Sequence, residues 1–425
     1  MSDTIFACSS GMPPAAIAVI RVSGPAVPDV LRALCGRVPA PRRASLATLR
    51  GQDGTVLDRA LALWFPGPNS ATGEDLAEFH CHGGRAVIVA VEAALAALPG
   101  LRRAEAGEFT RRAFAHGRMD LAEAEGLGDL LSAETELQRQ SAMRMAGGDL
   151  SSQVKAWRDH VLHLSAQVEA ILDFSDEDDV EGLPVSFAQA VAMFHVELSD
   201  WLSRPRAEAL REGFKVVIAG PPNAGKSTLF NALVESDAAI ITPIAGTTRD
   251  ILMRPVALGG VPFQFLDTAG LRGDAADAVE AIGIARAQAA IAQADLVLWL
   301  GPEGQGPEGA WEIAARIDAA DHAAKASARH HISALTGEGV DALRKDLIAT
   351  ARHCLPRPGA LALNVRQHAL LAEASDAVAM ICAQGDLLLV AENLRLARHA
   401  FDRLLGGAST EDMLDALFGR FCIGK

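Results

Sequence analysis

The sequence predicts three textures in one chain: an α+β N-terminal domain, an α-helical domain, and an α/β domain inserted into the helical one. Three observations carry this reading. Short apolar runs alternate with turns up to about residue 117. From Asp120 to about Arg211, and again after Pro356 and Pro358, apolar positions recur at helical spacing with few breakers. Between those stretches, from Phe214 to about Ala351, strand–loop–helix units succeed one another. Side chains repeat every two residues along a strand and every 3.6 along a helix, so the spacing separates the textures. The expected boundaries are 1–117 for the first domain, 118–211 and 356–425 for the two helical parts, and 212–355 for the insertion. An inserted domain is tolerated because domain ends often lie close together. At 425 residues the chain is too long for one ordinary domain.

The first domain is expected to contain strands at Ile17–Val22, Ala60–Phe65 and Leu76–Cys81, a Gly83-Gly84 turn, and an apolar helix over Ala86–Leu98. The helical domain is read from Leu121, Leu127, Leu130 and Leu131, then Val154, Trp157, Val161, Leu164, Val168, Ile171 and Leu172. An acidic run, Asp173–Glu181, ends one helix, and Pro184 and Pro205 punctuate the remainder of that domain's first part. In His80-Cys81-His82 the two histidines share one face of a strand and the cysteine faces the other, so the triplet reads as ordinary strand rather than a metal site. The six cysteines contain no CxxC pair, which argues against a disulfide framework or a zinc ribbon.

Half the residues are hydrophobic and 22% are charged, which is globular composition. No basic leader precedes an apolar core, and no apolar run approaches the roughly 20 residues that span a bilayer. The expectation is a soluble, cytoplasmic protein with no membrane association. The net charge of −14 excludes coating of nucleic acid by bulk electrostatics. RNA contact therefore needs a local patch or a partner protein, and Arg102-Arg103 and Arg111-Arg112 are the patch candidates, each also readable as a solvated face.

The inserted domain carries the strongest signal. Phe214-Lys-Val-Val-Ile-Ala-Gly220 reads as a buried strand running into Gly220-Pro-Pro-Asn-Ala-Gly225-Lys226-Ser227 and a helix over Thr228–Val234. This is GxxxxGK[ST] in its required strand–loop–helix setting, a P-loop. Backbone N–H groups curl around phosphate oxygens and the helix N-terminus adds positive potential. Lys226 reaches the β and γ phosphates and Ser227 ligates magnesium. Asn223, Ala224, Gly225 and Thr228 complete the loop's nucleotide contacts. Thr247-Thr248 in Ile244-Ala-Gly-Thr-Thr-Arg-Asp250 can supply a switch I threonine to the metal, with Thr248 expected on the magnesium and Thr242, Pro243, Ile244, Ala245, Gly246 and Thr247 among the nucleotide contacts. Asp267, Thr268, Ala269 and Gly270 form DxxG, in which Asp267 holds magnesium through water and the Gly270 amide meets the γ-phosphate. Ser333, Ala334 and Leu335 fit the short element that lies against guanine. Together these make an α/β P-loop GTPase domain.

Two departures stand out. Leu271 comes after DTAG where a water-positioning Gln would stand, so hydrolysis needs another group; Asp274, Asp277 and Glu280 are the nearby carboxylates. The guanine-reading [NT]KxD motif is not intact. Ala315-Arg316-Ile317-Asp318 keeps the terminal carboxylate but lacks the Asn and the Lys, and the strand expected before it is poorly defined. Asp318 remains able to accept from guanine N1–H and the 2-amino group.

With these motifs in hand, the chain resembles the MnmE (TrmE) family of tRNA-modification GTPases from end to end. The residues are Arg21-Val-Ser-Gly24, Thr72-Gly-Glu-Asp75, Glu78-Phe-His-Cys-His-Gly-Gly84, Gly107-Glu-Phe-Thr-Arg-Arg-Ala-Phe114, Met119-Asp-Leu-Ala-Glu-Ala-Glu125, Ala245-Gly-Thr-Thr-Arg-Asp250 and the final Cys422-Ile-Gly-Lys425. The resemblance implies an N-terminal folate-binding and dimerisation domain, a helical domain and an inserted G domain. It implies a homodimer that joins the FAD-dependent MnmG in a heterotetramer and acts on tRNA. The reaction implied is addition of a carboxymethylaminomethyl-type group at C5 of wobble uridine 34, with the one-carbon unit from a 5,6,7,8-tetrahydrofolate derivative, 5-formyl or 5,10-methylene.

The resemblance also assigns residues. Arg21, Glu78, Arg118 (lysine in the family pattern) and Lys425 are implied for folate. Asn223 through its side chain, and Thr242, Ile244 and Thr247 through carbonyls, are implied for a potassium ion that replaces an arginine finger. Glu280 falls on the water-orienting carboxylate, and Cys422 on a C-terminal cysteine whose role is either chemical or structural. Two other readings differ in class. A folate-dependent one-carbon transferase with a degenerate G domain fits the altered 315–318 motif but not the intact phosphate elements. An Era-like ribosome-assembly GTPase shares the apolar residue after DTAG, but needs a KH domain where this chain has helices and CIGK.

Overall fold

The computed structural model describes residues 3–173, 183–234, 239–241, 253–267, 289–320, 322, 324–382, 386–407 and 410–425. It divides into two units, residues 1–128 with 402–425, and residues 129–401.

In the first unit, alternating residues fold as strands with one face inward. The strands are β1 (Thr4–Cys8), β2 (Ile17–Ser23), β3 (Ser45–Arg50), β4 (Val56–Phe65), β5 (Leu76–His82) and β6 (Leu101–Arg103). They form a sheet of order β3-β4-β5-β2-β1-β6, antiparallel except for the parallel β1–β6 pair. Two helices cover it: α1 (Val27–Cys35), which starts with proline in its first turn and stops at Gly36 in the left-handed conformation, and α2 (Arg85–Ala96). Phe6, Ile20, Val22 and Phe79 from the sheet pack on Val30, Leu31, Val91 and Leu95 from these helices. Each such side chain contributes roughly 1.5–3 kcal/mol by leaving water. α3 (Glu108–Ala115) and the start of α4 (Leu121–Ser132) continue the unit. It is closed by residues far along the chain, because Leu414, Phe418 and Phe421 pack on Leu121 and Ala124.

The second unit begins with helices α5 (Glu136–Ala146), α6 (Asp149–Asp173), α7 (Val185–Ser203) and α8 (Ala207–Glu212). Thr135 and Gln138 form a reciprocal capping box at the start of α5. The α/β part comes next, with β7 (Phe214–Ala219), α9 (Lys226–Val234), β8 (Ala239–Ile241), β9 (Met253–Leu258), β10 (Val261–Asp267), β11 (Leu296–Trp299), β12 (Trp311–Ala315), β13 (His330–Ile332) and α10 (Val340–Cys354). Its sheet order is β13-β12-β11-β7-β10-β9-β8, parallel from β13 to β10 and antiparallel beyond. β9 turns into β10 through Gly259 and Gly260, with φ of 55° and 76°, a two-residue hairpin open to glycine at both positions. The last helices are α11 (Val365–Cys382), α12 (Leu387–Leu404) and α13 (Glu411–Phe418), the last belonging to the first unit.

Helical segments from both sides of the α/β part meet. α11 packs along α7, and the Trp157 ring of α6 lies 5.2 Å from Trp201 of α7 and 5.7 Å from Phe401 of α12. Trp157 stays buried because its indole N–H donates to Glu197 at 2.8 Å. Leu137 of α5 and Leu210 of α8 join Phe214, Phe263 and Phe265 in the α/β core.

Three expectations change. The helix after the P-loop starts at Lys226 rather than Thr228, so Lys226 and Ser227 occupy its first turn. The strand before Asp318 is well formed as β12, because Trp311, Ile313 and Ala314 are buried and the strand pairs on both sides. The arginine pairs of the N-terminal domain form no free basic patch. Arg112 is fully buried among Asp3, Glu74 and Glu108; Arg102 pairs with Asp3 and Glu108, Arg103 with Glu92, and Arg111 with Glu411 and Asp415.

Candidate functional site

The P-loop lies where β7 ends and α9 begins, at the C-terminal edge of the parallel strands, the usual ligand position in an open α/β sheet. Gly220 has φ of 149° and lies against Leu300 and Gly301 of the neighbouring strand end; a Cβ there would stand 3.1 Å from the Gly301 nitrogen. Asn223 adopts φ of 60°, which asparagine tolerates better than most residues. The Lys226 ammonium is buried beneath the loop and donates to the Gly220 and Pro221 carbonyls at 3.0 and 2.8 Å.

One cavity of about 910 Å³ gathers residues from distant parts of the chain: Asn223, Gly225, Lys226, Ser227 and Thr228 from the loop, then Asp318, Ala334 and Leu335. Asp318 sits just beyond β12, where Ser333 hydrogen-bonds its carboxylate and holds it below the usual range. Ser333 is itself buried, and its hydroxyl accepts from the Thr336 amide at 3.1 Å. Spelling alone puts Ser333 with its two neighbours against the base. The structure puts Ala334 and Leu335 on the cavity wall and Ser333 behind Asp318. Ala224 is half-buried within the loop. Asp267 ends β10, paired in register with Ile218 of β7, two residues before Gly220. Of Asp267 only the backbone is described. Thr242, Pro243, Ile244, Ala245, Gly246, Thr247, Thr248, Thr268, Ala269, Gly270, Leu271, Asp274, Asp277 and Glu280 lie outside the described residues.

The altered base-reading motif has a geometry that its spelling did not reveal. Arg316 takes φ of 59° and donates to the Asn223 carbonyl at 3.4 Å. Its Cγ lies 3.4 Å from where a Cβ on Gly225 would stand. A bare glycine at 225 therefore leaves room for the arginine stem to cross the loop. Trp299, from the end of β11, also lines the cavity and no motif pointed to it.

A second constellation lies in the first unit. Arg21 of β2 faces Glu78 of β5 across the antiparallel ladder, Nη2 to Oε1 at 2.7 Å. The other Glu78 oxygen meets His80 Nε2 at 3.3 Å. Burial pushes the Glu78 carboxyl up, but the Arg21 hydrogen bond and charge outweigh it and hold the group below its ordinary value. The Arg21 guanidinium lies 5.8 Å from the Phe109 ring, and the Phe109 amide donates to the Lys425 carbonyl at 3.2 Å. The C-terminal tail thus docks beside this pair. Ile423 bridges to Ala106, and Gly424, at φ of 97°, passes so close to the Cys8 carbonyl that a Cβ would stand 2.3 Å from it. Cys422 is exposed and Lys425 half-buried. Arg118 is exposed and lies beside Gly73. Sequence reasoning missed Phe109, since a ring under an arginine leaves no spacing signal.

The two N- and C-terminal parts of the chain match two family descriptions, "GTP-binding protein TrmE N-terminus" over residues 4–118 and "MnmE helical domain" over residues 121–422. The chain belongs to the MnmE family. It is 63% identical over 423 residues to the tRNA modification GTPase MnmE of Erythrobacter litoralis, with the whole of both chains covered. The Novosphingobium aromaticivorans protein of that name is 61% identical over 437 residues, again with full coverage of both. The Zymomonas mobilis protein is 48% identical over 433 residues, covering 99% of this chain and all of the relative. The described residues carry an N-terminal TrmE-type domain, helical segments and a P-loop α/β domain. Among the described residues no helix is long and apolar enough to cross a membrane, and no His/Cys/Asp/Glu cluster could hold a metal.

Proposed function

We propose that this chain couples potassium-stimulated GTP hydrolysis to modification of the wobble uridine of tRNA, with a folate one-carbon donor and an FAD-dependent partner. Its coarse part, a tRNA-modification GTPase, rests on family membership. The observation that carries the nucleotide half is the meeting of Lys226, Ser227 and Asp318 in one cavity.

In this reading the P-loop amides and Lys226 hold the β and γ phosphates, and Ser227, Thr248 and the water-mediated Asp267 hold magnesium. Magnesium, when bound, neutralises charge on the phosphate oxygens. Asp318 accepts from the guanine edge, while Arg316 fixes the motif to the loop. Asn223, Thr242, Ile244 and Thr247 are proposed to hold potassium, and Glu280 to orient the attacking water that Leu271 cannot. The folate half rests on the Arg21–Glu78 pair. An ionised carboxylate beside a guanidinium and a phenyl ring suits the N–H edge and flat body of a pterin. Arg118 and Lys425 would meet the acidic tail, and Cys422 would serve in either a chemical or a structural role. A homodimer working in a heterotetramer with the flavoprotein completes the proposal.

The deciding experiment measures GTP turnover in potassium and in sodium at equal ionic strength, for wild type and Glu280→Ala. Faster wild-type turnover in potassium is expected, together with a loss of about 10²-fold or more in the variant at unchanged GTP affinity. Equal rates in the two salts would remove potassium from the proposal, and an unchanged kcat would pass the water-orienting role to Asp274 or Asp277. Mass spectrometry of wobble nucleosides from cells lacking the protein tests the tRNA half.

A further inference from the structure

The Arg102-Arg103 and Arg111-Arg112 pairs are engaged in ion pairs and the net charge is −14, so a local cluster of cations elsewhere is the place to look for a direct hold on RNA. The second unit contains a cleft of about 1020 Å³, distinct from the nucleotide cavity, whose walls carry Arg144, Arg204, Arg352 and Arg357. They come from four places: the end of α5, the residue after α7, the last turn of α10, and the segment leading to α11. Four guanidiniums there face two carboxylates, Asp149 and Asp200.

Asp149 and Asp200 balance two of the four charges and orient Arg144 and Arg204, which leaves an excess of two positive charges on the cleft. Arg144 pairs with Asp149 at 2.5 Å and also donates to the Gly359 carbonyl. Arg204 pairs with Asp200 at 2.7 Å, and its guanidinium lies 4.0 Å over the ring of the buried Trp201. Stacking on an indole fixes the plane of the fork and leaves its edge donors directed outward. Arg352 donates to the Gly259 carbonyl of the β9–β10 hairpin at 3.4 Å, and Arg357 is exposed on the rim. Carbonyl partners satisfy N–H groups but leave the charge of Arg352 in place. Pre-oriented forks carrying excess positive charge match phosphate oxygens, which arginine binds two at a time.

We infer that this cleft is a docking surface for the phosphate backbone of tRNA, held by Arg204, Arg352 and Arg357 with Arg144 behind them. The inference rests on the tRNA reading of the proposed function. Spread over four elements, the charges suit an extended polyanion better than one small ion. Phosphate contacts position a nucleic acid without reading its sequence, so the cleft sets where the RNA lies and not which base reacts. Arg352 lies in the last turn of α10, a helix of the α/β part itself, so the cleft borders the nucleotide domain directly.

The test uses full-length protein and a fluorescent tRNA transcript with an unmodified wobble uridine, titrated over a range of potassium chloride. Arg204→Gln/Arg357→Gln is compared with Arg204→Lys/Arg357→Lys and wild type, and GTP turnover without tRNA serves as the check on folding. The glutamine pair is expected to bind about tenfold or more weakly and to flatten the plot of log affinity against log salt by roughly 1.5, since each lost phosphate contact removes about 0.7–0.9. The lysine pair is expected to keep most of the slope, and basal turnover to stay the same. Unchanged affinity and slope in the glutamine pair overturn the inference and leave the tRNA reading intact. So does a glutamine pair that binds tRNA normally but loses the flavoprotein, which makes the cleft a protein-docking surface. A wild type with no salt-dependent affinity for tRNA overturns it too, and the wobble-nucleoside measurement then decides whether the wider reading falls with it.

Discussion

In the proposed base-reading role, Arg316 and Asp318 would divide between them the work of a four-residue motif that has lost two members. The carboxylate could be singled out from spelling alone as the expected base reader, because its two oxygens match the N1–H and 2-amino donors on the guanine edge. Arg316 was legible only as a cation beside it. Its backbone sits in the left-handed region and its side chain runs back over Gly225 to the Asn223 carbonyl. A bulky residue at positive φ is uncommon, and here the conformation aims the stem at the loop. Arg316→Ala is expected to weaken GTP and GDP alike by about tenfold, the worth of one hydrogen bond together with its packing. Asp318→Asn is expected to lose the preference for GTP and gain one for XTP. Competition of GTP, ATP and XTP against fluorescent GDP measures both. A wild type blind to the difference between GTP and ATP would remove base reading from Asp318 altogether.

Among elements, the C-terminal tail shows how four residues gain a defined place. Phe421 is buried on Phe418 at a ring distance of 6.2 Å, Ile423 pairs with Ala106, and Lys425 accepts from the Phe109 amide. Gly424 is the position that admits no side chain, both for its φ of 97° and for the Cys8 carbonyl 2.3 Å from a Cβ. Gly424→Val is therefore expected to undock the tail. Calorimetry with 5-formyltetrahydrofolate should show the same weakened binding as deletion of residues 422–425, with basal GTP turnover untouched. If both variants bind the folate as tightly as wild type, the tail serves another step. The same element logic explains P-loop helix α9. Its first turn takes in Lys226 and Ser227, because the amides that would otherwise lack partners at a helix start are the ones phosphate needs.

At the scale of the molecule, the acidic chain folds into two units, and the first is held by a buried cation that the sequence presented as surface. Arg112 has no exposed side-chain area and contacts Glu108 at 3.0 Å, Asp3 at 2.9 Å and Glu74 at 3.1 Å. Burial raises Glu108, but bonds from Arg102, the Glu105 amide and Arg112 outweigh it and hold the carboxyl below its ordinary value; Asp3 is shifted the same way, with burial opposed by Arg102 and Arg112. A depressed carboxyl stabilises the fold above its unfolded value, near 4.5 for Glu108, and the contribution disappears as pH falls through the lower folded value. Arg112→Met removes the buried cation shared by Glu74, Glu108 and the part-exposed Asp3, leaves Arg102 as the remaining partner of the last two, and is expected to cost about 3 kcal/mol near pH 7. That deficit should shrink toward pH 4 and below, as Glu108 and Asp3 protonate. Thermal unfolding of wild type and variant at both pH values tests this, and a deficit independent of pH would mean that packing, not charge, carries the effect.

What the sequence determined by itself was whatever depends on local order along the chain. Strand alternation over Ile17–Val22, helical spacing from Val154 to Val168, and a glycine-rich loop between strand and helix dictate backbone conformation through neighbours, so each could be read without the fold. The family resemblance likewise lies in contiguous runs, and the comparisons bear it out. Tertiary structure decided what depends on residues meeting from afar. The Trp311–Ala315 strand exists because β11 and β13 pair with it on either side. Arg112 became a core residue because Asp3 and Glu74 come to it from elsewhere in the chain. The arginine cleft assembles charges separated by some two hundred positions, and no one-dimensional pattern records their sum. Local sequence sets the energy of a turn or a helix face; the desolvation and pairing of a charge are set by the groups that fold around it.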